Sequence, residues 1–216
     1  MCSASLKDVT HVAQLTADNI VSIGSSLSHV HVPGRDKSED HLGEGIVEIG
    51  MGIHNEDGSE RSKEDLPNLV NKMLKRMLDP SDADRNFMQI SENEQTVLLV
   101  NNLGAVSVLE LGGITNEVVE QLAKDYKIKP VRILAGTYMT SLNGLGFSIT
   151  LLRVKDTGVG KSMLELLDAP AEATGWPVAI PTKTWETRST ATRDEGAGDV
   201  DAAKPSNLRR KHYSRA

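Results

Sequence analysis

The stretch Ile46-Val-Glu-Ile-Gly-Met-Gly-Ile-His-Asn-Glu-Asp-Gly58 begins as a strand and ends in a turn after His54. The alternation of apolar and polar residues at its start is typical of a half-buried β-strand. Gly50 and Gly52 would let another backbone or a small ligand approach closely. Residues 55–58 predict a turn, because each is of a type that tolerates or favours turn dihedrals. The imidazole of His54 could therefore act on a small molecule or could be an ordinary surface histidine, and the local pattern leaves both interpretations open.

The segments on either side of this stretch alternate between strand and helix patterns. Short apolar or alternating runs predict further strands at Ile20–Ile23, Leu27–Val32, Thr96–Val100, Val131–Met139 and Phe147–Val154. Apolar residues at three-to-four spacing predict helices at Leu6–Leu15, Ser62–Leu78, Thr115–Tyr126 and Ser162–Leu167, the third capped by Thr115. This interleaving predicts an α/β fold, a two-layer mixed β-sheet with helices. The polar loops that follow its strands are where such sheets usually bind ligands.

The character of the chain changes at residue 169. Residues 1–168 are predicted to form the folded domain. Prolines and a glycine between residues 170 and 181 interrupt any regular element, and residues 182–207 carry hardly any large apolar side chain. Such a segment cannot bury enough apolar surface to fold. Residues 169–216 are therefore predicted to be a disordered linker that ends in a basic tail.

Composition argues against several classes of protein. The net charge of −6 and the sequence pI near 5.5 argue against non-specific nucleic-acid binding. Cys2 is the only cysteine, so the chain can form neither an internal disulfide nor a cysteine-based zinc site. No run approaches the roughly 18–20 apolar residues that span a bilayer, and the first residues do not resemble a secretory signal. The sequence predicts a cytoplasmic protein without nucleic-acid or membrane partners.

A glycine-rich segment, Gly158-Val-Gly-Lys-Ser162, follows a predicted strand and precedes a predicted helix, which is the setting of a phosphate-binding loop. The full pattern needs a glycine at position 155, where this chain has Lys155. The segment is therefore interpreted as a turn before a helix that Ser162 helps to cap.

Two groups of residues could bind a metal ion. His29 and His31 fall on the same face of a predicted strand, an arrangement that can bind zinc, but His41 lies across a polar loop and offers no third ligand at short spacing. The second group is acidic and lacks the residue order of a calcium loop. It comprises Asp79, Asp82, Asp84, Glu92 and Glu94. No metal ligand is assigned to either group.

Five longer motifs occur in order along the chain. They are Ser28-His-Val-His-Val-Pro-Gly34, Leu42-Gly-Glu44, Glu48-Ile-Gly-Met-Gly-Ile-His-Asn-Glu56, Leu98-Leu-Val-Asn-Asn-Leu-Gly104 and Thr140-Ser-Leu-Asn143. Together they resemble the second half of the substrate-binding domain of the ATP-dependent dihydroxyacetone (glycerone) kinases. The resemblance covers roughly residues 6 to 177 and implies that the chain is a fragment of such a kinase, an enzyme of glycerol metabolism.

The resemblance assigns a role to one residue, His54. In that family the histidine of the Gly-Ile-His-Asn-Glu motif, which falls on His54, binds the substrate covalently. A ring nitrogen would add to the carbonyl of dihydroxyacetone, or of a similar small ketone or aldehyde, and form a hemiaminal. Glycerol has no carbonyl and would be rejected. The adduct would hold the terminal hydroxyl where the phosphate must be delivered.

The resemblance also implies what this chain would lack. The family's substrate domain has an earlier subdomain that supplies an acidic residue to deprotonate the hydroxyl, and nothing in this sequence corresponds to it. ATP and magnesium are held in that family by a separate helical domain, so this chain is not expected to bind them. Two positions depart from the family pattern, because Gly45 replaces an acid and Asp57 replaces a proline. The second change should loosen the turn next to His54.

Two functional hypotheses follow. The first is a piece of a dihydroxyacetone kinase that carries His54 but, by itself, neither the general base nor the nucleotide site, so that the isolated chain is inactive as a kinase. The alternative is a non-catalytic module that binds small carbonyl compounds or regulates an intact kinase. The family resemblance also implies a homodimer.

Overall fold

A six-stranded mixed sheet forms the centre of the protein. The structure is a computed structural model, which describes residues 4–30, 34, 42–52, 56–82, 88–91, 93–176 and 180–187. The strands are β1 (Ile20–Ser26), β2 (Ile46–Ile49), β3 (Glu60–Lys63), β4 (Thr96–Asn102), β5 (Arg132–Gly136) and β6 (Gly146–Arg153). Their order in the sheet is β3-β2-β1-β6-β4-β5. Only the β4–β5 pair is parallel, and the other neighbours are antiparallel. The predicted α/β fold with a mixed sheet is confirmed.

Five helices accompany the sheet in the described part of the chain. They are α1 (Leu6–Ala17), α2 (Leu66–Leu78), α3 (Val108–Asp125), α4 (Met163–Leu167) and α5 (Thr182–Thr187). The side chain of Ser5 caps α1 and that of Asp65 caps α2, in each case by accepting a hydrogen bond from a backbone amide. Pro67 lies in the first turn of α2, where its missing amide costs nothing.

The two faces of the sheet differ in character because side chains alternate along each strand. One face carries the apolar residues that pack with α2 and α3 into the core, among them Val21, Ile49, Leu98, Val100, Phe147, Ile149 and Leu151. The strand registers place Ser22 opposite Thr150, Gly24 opposite Ser148 and Asn101 also opposite Ser148. These small and polar residues therefore lie together on the other face of the sheet.

Two strand predictions need correction at the amino-terminal half of the sheet. Ile20–Ile23 does not end at Gly24, because β1 continues through Ser26 and pairs along its full length with β6. Residues 27–30 of the predicted strand Leu27–Val32 are not in a strand, and residues 31 and 32 lie outside the described residues. The strand β3 was not predicted, since Glu60-Arg-Ser-Lys63 has no apolar residue. A charged edge strand of this kind protects a sheet from pairing with another chain.

The third helix begins earlier than predicted, so the prediction that Thr115 is its cap is wrong. Ser107 caps α3 together with Glu110, and the Thr115 hydroxyl donates to the carbonyl of Leu111 inside the helix. The helix passes through Gly112 and Gly113, which cost about 1 kcal/mol each relative to alanine. Its buried residues, Leu111, Ile114, Val118 and Leu122, supply the compensating packing. The capping role of Ser162 at α4 is confirmed.

Part of the segment predicted to be disordered is folded against the sheet. The short helix α5 lies within residues 169–216, and the ring of Trp185 packs 5.3 Å from the guanidinium carbon of Arg132 on the edge strand β5. Trp176 packs against Tyr138 with ring centroids 5.1 Å apart. Two tryptophans therefore anchor this segment. The prediction rested on the low apolar content of the whole segment and gave these two residues no weight. Residues 188–216 lie outside the described residues.

Replacing the buried Leu98 with alanine should reduce the free energy of unfolding by about 2–5 kcal/mol, because the change leaves a cavity in a core that cannot fully collapse. Leu98 is 0% exposed in β4, a strand in which six of the seven residues are buried. Urea unfolding followed by circular dichroism measures the loss. Leu142→Ala is the control, because Leu142 is 66% exposed and should change stability by no more than about 0.5 kcal/mol. Equal effects of the two changes would contradict the packing described here.

Candidate functional site

A cleft of about 260 Å³ lies on the face of the sheet opposite to α2 and α3. Its floor consists of Ser22, Gly24 and Ser26 of β1 and Ser148 of β6. Its walls come from the connections between strands and comprise Val30, Met51, Gly52, Leu103, Met139, Thr140, Ser141 and Gly144. The small side chains of the floor leave a space that suits a small polar molecule, in keeping with the usual placing of ligand sites at strand ends.

Asn101, at the end of β4, fixes one wall of the cleft. Its side-chain oxygen accepts hydrogen bonds from the amides of Tyr138 and Met139, at 2.8 and 3.0 Å. Its side-chain nitrogen donates to the carbonyl of Met139 at 2.7 Å. Asn101 is 2% exposed, so these bonds are shielded from water. Asn101, the first residue of the predicted polar loop, therefore does not face solvent. Its side chain instead holds the connection between β5 and β6 in place.

The adjacent loop is closed by short polar contacts. Asn102 accepts from the amide of Gly104 at 2.8 Å, and the hydroxyl of Ser141 donates to the carbonyl of Leu103 at 2.7 Å. Gly104 has a φ of 137°, and a Cβ there would lie 2.7 Å from the carbonyl oxygen of Ser141. Only glycine fits this crossing of two loops. This part of the cleft wall is therefore held in place by contacts between backbone groups and small polar side chains.

Residues 50–59 connect β2 to β3, and this connection contributes to the cleft and includes His54 in its sequence. The amide of Gly50 donates to the carbonyl of Gly24 at 2.8 Å, and Gly50 has a φ of 75°. The amide of Gly52 donates to the carbonyl of Glu56 at 3.3 Å. Met51 and Gly52 line the cleft directly. His54, two residues further along the chain, lies outside the described residues, as do His31 and His41.

Glu48, on β2, is a buried carboxylate beneath this connection. Its Oε1 accepts hydrogen bonds from the amide of Gly58 at 2.9 Å and from Nε of Arg61 at 3.0 Å, and its Oε2 lies 2.9 Å from Nε2 of His29. Burial raises the pKa of Glu48, but the hydrogen bonds from His29, Gly58 and Arg61 and the charge of Arg61 outweigh it. The net pKa is below its ordinary value, so Glu48 is ionised at neutral pH.

Acidification should destabilise the protein partly through Glu48. Because its pKa is lower in the folded than in the unfolded protein, Glu48 contributes stability above the unfolded value near 4.5, and that contribution is lost as pH falls through the folded value. Glu48→Gln should be less stable at neutral pH, and its free energy of unfolding should fall less steeply below pH 4.5 than that of the wild type. Urea unfolding across this range measures both slopes. Glu172→Gln, at an exposed position outside the helices and strands, is the control, and identical slopes for wild type and Glu48→Gln would contradict this role.

The candidate metal ligands do not come together in the part of the chain that the structure describes. His29 is engaged with Glu48, Asp79 accepts from the amide and hydroxyl of Ser81, and Glu94 pairs with Lys155. Asp84 and Glu92 lie outside the described residues. The described residues form no group of three histidine, cysteine, aspartate or glutamate side chains that could hold a metal ion.

The glycine-rich segment 158–162 does not fit a nucleotide phosphate. The amide of Gly158 donates to the side chain of Asp156 at 3.0 Å, and that of Ser162 donates to Glu165 at 2.8 Å. The amide of Val159 donates to the hydroxyl of Thr157 at 3.3 Å. In phosphate-binding loops the backbone amides donate to the phosphates. Here these three amides already donate to side chains of the protein. The segment fits the predicted glycine-rich turn before α4.

The described fold and cleft define a small α/β domain with a cleft of small-molecule size on one face of its sheet. A family model described as the Dak1 domain matches residues 2–175, and the chain belongs to this family. Dihydroxyacetone kinase of Pichia angusta is 41% identical over 218 residues, which cover 95% of this chain and 36% of the relative. The chain therefore spans about a third of that relative's length.

Two solved structures share the fold. The dihydroxyacetone kinase from C. freundii in complex with AMP-PNP and Mg²⁺ gives a TM-score of 0.65 at 27% identity, with 92% of this chain and 33% of that chain covered. The dihydroxyacetone kinase operon co-activator Dha-DhaQ gives a TM-score of 0.62 at 27% identity, with 77% and 48% covered. The resemblance to dihydroxyacetone kinases inferred from the sequence motifs is confirmed. No helix among the described residues is long and apolar enough to cross a membrane.

Sequence reasoning missed two residues that organise the site. Asn101 was placed in a polar loop, although it lies at the end of β4 with its side chain buried. Glu48 was treated only as part of a motif, because a charged residue between Val47 and Ile49 in an alternating strand is expected to face solvent, whereas the structure buries it. The alternation in Ser22, Gly24 and Ser26 could also have indicated the floor of the cleft.

Proposed function

We propose that this chain is the substrate-capturing part of a dihydroxyacetone kinase and that it binds dihydroxyacetone covalently through His54. The observation that supports this most is the cleft beside Met51 and Gly52, because these residues lead directly to His54 in the sequence. Its volume of about 260 Å³ accommodates a three-carbon ketone. The match to the Dak1 family and the kinase relatives supports the same assignment.

The capture step needs only the ring and the ketone. The lone pair of the unprotonated ring nitrogen of His54 forms a bond to the carbonyl carbon, and the C=O π pair moves to the oxygen. That oxygen takes up a proton while the other ring nitrogen gives one up, so the product is a neutral hemiaminal. The adduct holds the substrate's terminal hydroxyls in one place, which removes orientational freedom before phosphate transfer. Small residues at the floor of the cleft leave room for the tetrahedral carbon.

The whole relatives transfer phosphate from ATP, and we propose that this chain serves that reaction as its ketone-binding part. We propose that the chain alone has negligible kinase activity, because its glycine-rich segment does not fit a nucleotide. We also propose a cytoplasmic homodimer on the strength of the family resemblance. Sedimentation velocity and cell fractionation test these two assignments.

The alternative hypothesis, a non-catalytic carbonyl-binding or regulatory module, is not favoured. One structural neighbour is an operon co-activator, but the relative with 41% identity is a kinase. The co-activator covers less of this chain, 77% against 92% for the C. freundii kinase. We therefore retain the kinase assignment.

Mixing the purified chain with dihydroxyacetone labelled at its carbonyl carbon tests the proposal. The carbonyl resonance should move from the ketone region to that of a carbon bonded to oxygen and nitrogen. Labelled glycerol is the control and should show no change, since it has no carbonyl. A carbonyl resonance that is unaffected by saturating protein would contradict the proposal.

A further inference from the structure

Ser148 forms the part of the cleft floor that belongs to β6, and its side chain is half-buried. The strand register places Gly24 of β1 beside it on one side and Asn101 of β4 on the other. Gly24 has no side chain, and even an added Cβ there would lie 3.9 Å from Cβ of Ser148, which is ordinary van der Waals contact. A small molecule that rests over Gly24 therefore lies next to the hydroxyl group of Ser148.

The hydrogen bond that Ser148 makes to Asn101 leaves its hydroxyl proton available. Nδ2 of Asn101 lies 3.4 Å from Oγ of Ser148, and an amide nitrogen can only donate. Oδ1 of Asn101 already accepts from the backbone amides of Tyr138 and Met139. Ser148 is therefore the acceptor in this contact, and no described residue accepts its own proton.

The other hydroxyl groups that line the cleft are already engaged within the protein. Three of them donate their protons to backbone carbonyl groups at 2.6–3.0 Å, and they belong to Ser26, Thr140 and Ser141. The exposed hydroxyl of Ser22 shares a hydrogen bond of 2.7 Å with that of Thr150. Ser148 thus combines a half-buried position in the cleft with a proton that it can give to a bound molecule.

We infer that Ser148 is a ligand-binding residue whose hydroxyl donates a hydrogen bond to an oxygen atom of a small ketone or polyol in the cleft. The choice of dihydroxyacetone as that molecule rests on the proposed function. Partial burial strengthens such a bond, because fewer water molecules compete for it. A molecule of the same size without an oxygen acceptor would cover the hydroxyl and leave it unsatisfied, which costs binding free energy. Ser148 therefore also contributes to specificity.

A solvated serine without a role explains the position of Ser148 less well. The walls of the cleft contribute four apolar side chains, those of Val30, Met51, Leu103 and Met139. Sites for small molecules usually have this composition, with apolar walls and a few polar groups that fix the orientation of the ligand. A hydroxyl group with an available proton on the floor of such a cleft fits the second part of that description.

The experiment measures the dissociation constant of dihydroxyacetone from the shifts of the backbone amide signals of Gly24 and Gly144, which both line the cleft. Ser148→Ala should weaken binding by about 3- to 10-fold, as expected for the loss of one hydrogen bond. Ser148→Thr keeps the hydroxyl and should restore the affinity of the wild type. Thr150→Ala is the matched control, because Thr150 is half-buried on the same face of β6 but does not line the cleft. It should leave the affinity unchanged.

A second measurement uses the wild type alone and does not depend on the folding of any variant. The methylene protons of bound dihydroxyacetone should show nuclear Overhauser effects to the Hβ protons of Ser148. Their absence at saturating ligand would overturn the inference. Wild-type affinity in folded Ser148→Ala, equal weakening in Thr150→Ala, or a Ser148→Thr variant as weak as Ser148→Ala would overturn it as well.

The signal of the labelled carbonyl carbon separates this inference from the proposed covalent capture. An adduct that forms without shifts at Gly24 and Gly144 would overturn the role of Ser148 and leave the capture step standing. Shifts that depend on the Ser148 hydroxyl, without an adduct, would support the role of Ser148 and overturn the capture step. Neither shifts nor an adduct would overturn both.

Discussion

Replacing His54 with alanine is expected to abolish the adduct with dihydroxyacetone, a loss larger than any other single change to the site should cause. Alanine has no lone pair that can attack a carbonyl, and the cleft offers no substitute nucleophile of comparable strength among its described lining residues, whose polar side chains are serine and threonine hydroxyls. The folded protein should otherwise be unchanged. Titration with carbonyl-labelled dihydroxyacetone measures the effect.

The matched control for this change is His11→Ala. His11 lies on α1, and its Nε2 is 3.1 Å from the carbonyl oxygen of Thr157. It is therefore a histidine of the folded domain that does not line the cleft. Its replacement should leave adduct formation intact. An adduct that survives in His54→Ala, or one that disappears in His11→Ala with the fold preserved, would contradict the assignment of His54.

Replacing Arg132 with alanine should have the largest effect on stability, a loss of about 3–5 kcal/mol in the free energy of unfolding. Arg132 and Asp168 form a bidentate ion pair, with Nε of Arg132 3.0 Å from Oδ1 of Asp168 and Nη2 2.7 Å from Oδ2. Both side chains are 6% exposed, so the change leaves a buried carboxylate without its cation. It also removes the guanidinium on which Trp185 packs, and α5 should detach. Urea unfolding measures the first effect and tryptophan fluorescence the second.

Arg76→Ala is the control for this prediction. Arg76 pairs with Glu60, but Glu60 keeps a second partner in Lys72, and both pairs are more exposed than Arg132–Asp168. The expected loss is about 1 kcal/mol or less. A loss in Arg132→Ala no greater than that in Arg76→Ala would show that the buried pair does not hold the edge of the sheet.

Elements with a continuous apolar signal were predictable from the sequence. The run Thr96–Val100 predicted a strand, and β4 is that strand. The apolar spacing of Ser62–Leu78 predicted α2, although the helix begins at Leu66 because Asp65 is its cap. In these elements the local pattern and the packing agree, so propensity and burial point to the same structure.

Elements whose stability comes from distant partners were not predictable in the same way. The strand β3 is polar and exists because β2 pairs with it and because α2 supplies Lys72 and Arg76 to its glutamate. The helix α5 depends on Trp185 meeting Arg132, more than fifty positions earlier in the chain. Neither contact leaves a periodic signal in the sequence.

In the candidate site, too, some features were predictable from the sequence, and others depend on contacts between distant residues. The local pattern around His54 left a functional histidine and an ordinary surface histidine both open, and only the resemblance gave it the role of nucleophile, which stays a prediction. The supporting residues Glu48 and Asn101 were not identified, because their importance lies in hydrogen bonds to backbone groups that only the folded chain brings within reach. The boundary predicted at residue 168 also stays a prediction, although Trp176 and Trp185 pack beyond it.

The most direct measurement is a one-bond correlation between the ring nitrogens of nitrogen-labelled histidine and the labelled carbonyl carbon of dihydroxyacetone bound to this chain. The account predicts a single correlation, assigned to His54 and lost in His54→Ala. A bound carbonyl carbon with no bond to nitrogen, or a correlation assigned to His11 or His29, would contradict it.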